Sequence, residues 1–366
     1  MISISRQFIG VMSGTSMDSV DVALCEINEK RCTLMASFEY PFSTELKEEC
    51  LKLISNGGTL KEIGQIDIKL ALLFSDAINE MLKENNINRE DIEAIGLHGQ
   101  TLWHEPNSPY PFSMQLGNPN VVTTQTKIKV VADFRQKDVA LGGQGAPFAP
   151  VFHHFAFNHL EPCGVVNIGG MANITILKED IIIGFDTGCG NVLMDLWISK
   201  HQNKSYDKDG SWAKGGALHH ELLKSFLSDE YFSKEYPKST GREYFNLEWI
   251  EHHLKKFKPI EPQDVQRSLL FLTANSIALE AKKFKIPTLL LCGGGAKNSF
   301  FVQTLQALLP ACHIQDTTKY GVDSDFLEAM IFAWLAYKRV NRQSVALKEV
   351  TGASKNAILG GVFESE

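Results

Sequence analysis

Apolar and polar positions alternate at the start of the chain with the period of strands. Phe8–Met12, Val20–Ile27 and Thr33–Tyr40 read as a meander whose first connection is SGTSMDS. The period then lengthens: a helix is expected from Thr44 to Ser55. A longer one follows Asn56-Gly57-Gly58, where Ile63, Ile66, Leu70, Leu73, Ala77 and Met81 recur on one face. Ile95–His98 reads as another buried strand. From His98 to Pro150 the chain is rich in Gly, Pro and Asn, the composition of a connection or a site wall. At Gly164 the opening pattern returns, about 150 residues on, as GVVNIGGMANITIL followed by IIIGFD. DTGCGN then leads into a helix over about Asn191–Lys200, and residues 201–262, polar and aromatic, show no clear period. Val265, Leu269, Leu272 and Leu279 mark a helix that feeds the apolar strand Thr288–Cys292, the turn GGGAKN and a helix from Ser299. The last element is the helix SDFLEAMIFAWLAYKRV, acidic at its start and basic at its end, as the helix dipole favours.

Two strand–glycine turn–strand units, each followed by helices, imply a duplicated α/β architecture with a cleft between two lobes. Residues 1–135 are assigned to the first lobe and 136–366 to the second, with the C-terminal end free to pack back on the first. The length supports this, because single hydrophobic cores stop growing at roughly 250–300 residues and the chain has 366. With 44% hydrophobic and 22% charged residues, the composition is that of a globular enzyme and not of a disordered chain.

A net charge of −7 argues against a nucleic-acid surface or an anionic membrane partner, without excluding small anionic ligands. Seven cysteines with no CxxC pair fit reduced thiols in a cytoplasmic protein. The N-terminal segment lacks the pattern of a signal peptide, and the longest apolar run, Ala329–Tyr337, is too short to span a bilayer.

Chemistry concentrates in the turns. Gly14, Thr15, Ser16, Met17, Asp18, Ser19, Val20 and Asp21 form a first turn in which a glycine lets the backbone approach a phosphate while hydroxyls and N–H groups donate to it. It reads equally as an ordinary hairpin. Asp18 or Asp21 offers a carboxylate for a hydrated Mg²⁺, or simply caps the turn. A second turn, with Asn167, Gly169 and Gly170, repeats the logic and is expected to face the first from the other lobe. A third, with Gly293, Gly294 and Gly295, suits an adenosine edge lying on backbone, or a plain helix entry. Asp186, at a strand's C-terminal end and flanked by glycines, is placed to accept a proton during phosphoryl transfer, or to cap the next helix. Cys189 reads as a small packed residue. No P-loop, no GxGxxG opening a helix, no GxSxG and no HExxH is present, and the adjacent histidine pairs point apart. Arg135 offers a bidentate fork for a carboxylate or phosphate and Glu328 an acceptor for sugar hydroxyls; singly, each also fits a surface ion pair.

In order along residues 9 to about 337, GVMSGTSMDSVD, HGQTLWH, VVADFRQKDVALGGQGAP, NIGGMANIT, GFDTGCGN, LLLCGGGAKN and DFLEAMIFAWLA resemble the anhydro-N-acetylmuramic acid kinases. The resemblance implies a two-lobed, ribonuclease H-like fold of the actin, hexokinase and Hsp70 kind. It also implies ATP- and Mg²⁺-dependent opening of the 1,6-anhydro ring of anhydro-N-acetylmuramic acid with phosphorylation at O6, in cell-wall recycling. By position, the family's phosphate loop falls on Gly14 to Asp21, its catalytic aspartate on Asp186, and substrate contacts on Arg135 and Glu328, with His98 of HGQTLWH as a further substrate-binding candidate. The chain departs from the family's GTSxDGxD at Ser19 and from its DTGPGN at Cys189; both are small residues, so activity is expected to survive. The expected partners are a small amino sugar and ATP, with neither nucleic acid nor a membrane, and a homodimer is left open. Alternative readings are another sugar or carboxylate kinase of the same fold, or an ATP-driven switch that phosphorylates no sugar.

Overall fold

A computed structural model describes residues 6–14, 17–179 and 181–365. Its strands are β1 (Arg6–Met12), β2 (Ser19–Ile27), β3 (Cys32–Pro41), β4 (Ile92–Leu97), β5 (Gln100–Glu105), β6 (Phe112–Leu116) and β7 (Val130–Ala132). They continue with β8 (Cys163–Ile168), β9 (Met171–Lys178), β10 (Ile181–Cys189), β11 (Thr288–Cys292), β12 (His313–Asp316) and β13 (Gly361–Phe363).

The chain divides into two compact units, one that runs through Ala156 and resumes at Tyr320, the other Phe157–Lys319. The first unit holds the sheet β13-β7-β4-β1-β2-β3 and the second the sheet β10-β9-β8-β11-β12. In the first, β1–β2 and β2–β3 pair antiparallel while β1–β4 and β4–β7 pair parallel. In the second, β8–β9 and β9–β10 are antiparallel, and β8–β11 and β11–β12 parallel. Each core therefore reads third-second-first-fourth-fifth, with its second strand opposed to the rest. This is the duplicated ribonuclease H-like plan of the actin and hexokinase class. The central strands show why: β8 and β11 are apolar along nearly their whole length and almost fully buried, as parallel strands covered on both faces must be.

The first unit runs to Ala156, and the C-terminal stretch from Tyr320 rejoins it through close backbone packing. The helix Leu327–Val340 lies on the first unit's sheet at glycines: a Cβ on Gly10 would sit 1.8 Å from the Ala329 carbonyl oxygen, and one on Gly96 2.0 Å from that of Phe332. No side chain fits there, so the helix seats against β1 and β4 and carries Glu328, in its first turn, to the first unit. The loop-rich stretch after His98 likewise holds more structure than its composition suggests. β5 and β6 form a two-stranded ribbon, and β7, only three residues long, supplies the fifth position of the first sheet.

In residues 201–262, where no period is visible, carboxylates order the chain: buried Asp207 accepts from the Trp212 and Ala213 N–H groups (2.9 Å each). Asp229 accepts from Tyr244 Oη (2.7 Å), Trp249 Nε1 (2.9 Å) and the Tyr231 N–H (2.9 Å), and draws these aromatics onto Phe226 and Phe245 in the second unit's core.

Candidate active site

Asp186 lies near the end of β10, where pairing with β9 shifts register between Asp186 and Gly188. Such a bulge bends a strand and re-aims its side chains. The carboxylate is half-buried, and burial raises it above its ordinary value of 3.8 against the lowering effect of two donors. Those donors, the Thr240 N–H and Ser239 Oγ, each lie 3.0 Å from Oδ2. Oδ1 accepts from no described residue, which leaves one oxygen to receive a proton. The following helix, Val192–Gln202, has Asn191 and not Asp186 at its N-cap.

Around this strand end the second and third glycine turns converge. The Gly169 carbonyl accepts from the Asn191 N–H (2.8 Å), and the Gly170 carbonyl from Gly190 (2.9 Å) and Val192 (3.1 Å). Gly293 has φ 79°, and a Cβ there would lie 2.3 Å from Asn167 Oδ1; a Cβ on Gly295 would lie 2.2 Å from the Ile168 side chain. Within this third turn, Gly294 faces open space. It borders a cavity of about 500 Å³ whose wall also includes Asn191, Asp195, Tyr206, Lys297 and Asn298. Burial pushes the Asp195 carboxyl up to about 6, with Arg242 opposing that shift and Asp207 adding to it.

A second cluster belongs to the first unit. Arg135 Nε donates to His98 Nε2 (3.0 Å) and its Nη1 to the Gly145 carbonyl (2.8 Å), while its guanidinium lies 5.6 Å from the Phe148 ring centre. Burial and the neighbouring guanidinium hold His98 down at about 3, so it is neutral. Glu328 is exposed at the start of its helix, and the protein packed around it raises its carboxyl, opposed by Arg135 and reinforced by Asp21. His98, Arg135, Glu328 and Asp21 thus form one electrostatic neighbourhood.

The first turn is placed unevenly. Thr15 and Ser16 lie outside the described residues. Met17 and Val20 are fully buried, so their side chains belong to the core and only their backbone is available to a ligand. The Gly14 carbonyl accepts the Met17 N–H at 3.2 Å. Asp18 is exposed and pairs with Lys47 at 2.7 Å. Asp21 is half-buried; burial raises its carboxyl, and Glu39 and Asp325 add to the rise.

Residues 6–365 match the model of the family described as "Anhydro-N-acetylmuramic acid kinase". A protein of that name from Sulfurovum sp. is 54% identical over 98% of this chain and 99% of its own length. Another, from Sulfurimonas denitrificans, is 50% identical over 98% of this chain and 100% of its own. The chain belongs to the anhydro-N-acetylmuramic acid kinase family.

Both departures from the family pattern are accommodated. Ser19 Oγ donates to Asp21 Oδ1 at 2.9 Å. Cys189 is buried with its sulfur 3.9 Å from Thr273 Oγ1, and burial pushes its thiol up to about 12, so it is a packed residue and no nucleophile. Sequence reading missed the partners of Asp186, since Ser239 and Thr240 stand more than 50 positions away in a segment without period. It also missed Asn191 and Asp195, polar residues at a helix start that look like ordinary capping and surface positions.

Proposed function

We propose that this member of the kinase family opens the 1,6-anhydro ring of anhydro-N-acetylmuramic acid with water and ATP, giving N-acetylmuramic acid 6-phosphate and ADP in cell-wall recycling. The observation that carries the reading is Asp186, a desolvated carboxylate with Oδ2 held by two donors and Oδ1 open, at a strand end bordered by glycine turns. In this scheme Oδ1 takes a proton from a water whose oxygen attacks the anomeric carbon. The bond from that carbon to O6 breaks, and O6 takes the γ-phosphoryl group of ATP as ADP leaves.

The 500 Å³ cavity beside Gly294 is assigned to adenosine and the backbone around Asn167, Gly169, Gly170, Gly293 and Gly295 to its phosphates. The turn from Gly14 to Asp21 is assigned to the terminal phosphate. Arg135, oriented by His98, meets the acidic group of the sugar, and Glu328 its hydroxyls. Asp21 suits Mg²⁺ better than Asp18, because it is partly desolvated beside other carboxylates while Asp18 has Lys47. An ion held by Asp21 would supply positive charge to offset that of the phosphates. The cysteines, free and buried among the described residues, support a cytoplasmic setting.

The test is ADP release with anhydro-N-acetylmuramic acid beside N-acetylglucosamine and N-acetylmuramic acid, run in ¹⁸O-water. Early label at the anomeric carbon, and loss of about 10²–10⁴ in turnover for Asp186→Asn, are expected. An ordinary sugar kinase would transfer phosphate without the label, and a switch would release ADP without any sugar phosphate.

A further inference from the structure

Lys238, Ser239 and Thr240 run beside the end of β10 as a strap. The Lys238 carbonyl accepts the Asp186 N–H (3.1 Å), and the next two residues deliver their donors to Asp186 Oδ2 at 3.0 Å each. Ser239 is exposed and Thr240 only half-buried, so the strap has little packing of its own. Its anchor is the Lys238 side chain, which turns inward: Nζ lies 2.8 Å from Glu280 Oε1, with side-chain exposures of 3% and 11%. The ammonium lies 5.4 Å from the Tyr231 ring centre and 5.8 Å from that of Phe185. Both rings lead back to Asp186. Phe185 precedes it, and Tyr231 Oη donates to its carbonyl at 2.8 Å.

As a stabiliser this ion pair is poor. Desolvating two charges offsets most of their attraction, and Glu280 Oε2 is buried without a hydrogen-bond partner. What a buried pair of fixed geometry does supply is placement. We propose that Lys238 and Glu280 are positioning residues for Asp186, pinning the strap so that Oδ2 stays saturated and Oδ1 stays turned out. The inference rests on Asp186 being the base.

The test compares Lys238→Met, Lys238→Arg, Glu280→Gln and Ser239→Ala in the full chain, reading kcat, both KM values, the pH profile of kcat and the thermal midpoint. Lys238→Met is expected to lower kcat by about 100-fold, as an ångström-scale misplacement does, with both KM values within about twofold. Its acidic limb moves to higher pH, because the lost donors favour the ionised carboxylate, and Lys238→Arg recovers part of kcat. A merely structural pair would change the thermal midpoint and leave the acidic limb in place. A folded Lys238→Met with normal kcat and an unmoved limb overturns the inference. If that variant does not fold, Glu280→Gln and Ser239→Ala decide: a lowered kcat with a raised limb supports it, and wild-type values in both overturn it. Asp186→Asn separates the two levels. If it is inactive while the strap variants are normal, only the strap falls; if it keeps turnover, the base reading falls and takes the strap with it.

Discussion

Arg135 Nε donates to His98 Nε2 across 3.0 Å, which makes the imidazole the acceptor and puts its single proton on Nδ1, beside the Gly99 backbone. With Nη1 held by the Gly145 carbonyl as well, the guanidinium fork is fixed in one plane before any ligand arrives. His98→Leu removes the acceptor and strands a buried donor. The KM for the sugar should rise about tenfold or more, as loss of a hydrogen bond to a charged group does, with the KM for ATP unchanged. Equal effects on both would sink the assignment of Arg135 to the sugar.

Two buried histidines set an acid limit on stability. His98 and His153 are each held down at about 3 from 6.5, chiefly by burial. Between those values the unfolded chain binds protons that the folded one does not. Their contribution is therefore complete above pH 6.5 and shrinks as pH falls toward 3. Because the raised carboxyls of Asp195 and Glu328 act in the opposite sense over this range, the check is a difference: the stability lost between pH 7 and 4 in chemical denaturation should be smaller in His153→Gln than in the unaltered chain. Imidazole resonances of either residue titrating near 6.5 would contradict it.

Much of this was legible in the chain. Strand–glycine turn–strand units at Phe8 and Gly164 revealed the duplication, because buried meanders leave unbroken apolar periods. The strand Thr288–Cys292 and the helix from Ser299 lie where their pattern placed them. The seat of the C-terminal helix was not legible, since it depends on Gly10 and Gly96 admitting a helix some 320 and 240 positions later in the chain, and a glycine does not announce what approaches it. Nor was the setting of Asp186: its partners Ser239, Thr240 and Tyr231 sit in a segment ordered by hydrogen bonds to Asp229, which have no period.

The two candidate metal carboxylates should separate on titration. Asp21→Asn is expected to raise the Mg²⁺ concentration for half-maximal ADP release by about tenfold, since a charged ligand to a hard cation is lost. Asp18→Asn should shift it by less than about twofold, because that carboxylate is exposed and engaged with Lys47. The reverse ranking would move the ion to Asp18.

Close packing at Gly96 makes a stability prediction with an internal control. In Gly96→Ala the new methyl meets the Phe332 carbonyl oxygen at 2.0 Å, a backbone atom that cannot turn aside. The helix must lift, at about 1–3 kcal/mol or more. Gly64, inside the helix Leu60–Glu84, has nothing within 4 Å of its added Cβ, so Gly64→Ala should gain about 0.5–1 kcal/mol. Urea melts of both variants check the pair, and a neutral Gly96→Ala would mean that the helix is not seated there.

Neighbouring glycines in the third turn distinguish a ligand wall from a packed one. Gly295 is buried, and a Cβ there would meet Ile168 at 2.2 Å and Asn191 Oδ1 at 2.9 Å, so Gly295→Ala should lower the thermal midpoint with or without nucleotide. Gly294 is exposed, has open space where its Cβ would go and borders the 500 Å³ cavity. Gly294→Leu should therefore leave the ligand-free midpoint in place while filling volume that adenosine needs. The KM for ATP is expected to rise at least about tenfold, as a methylene-scale mismatch in a pocket is worth roughly 1–3 kcal/mol, and the KM for the sugar to stay put. An unchanged KM for ATP in a folded Gly294→Leu would take the nucleotide out of this cavity.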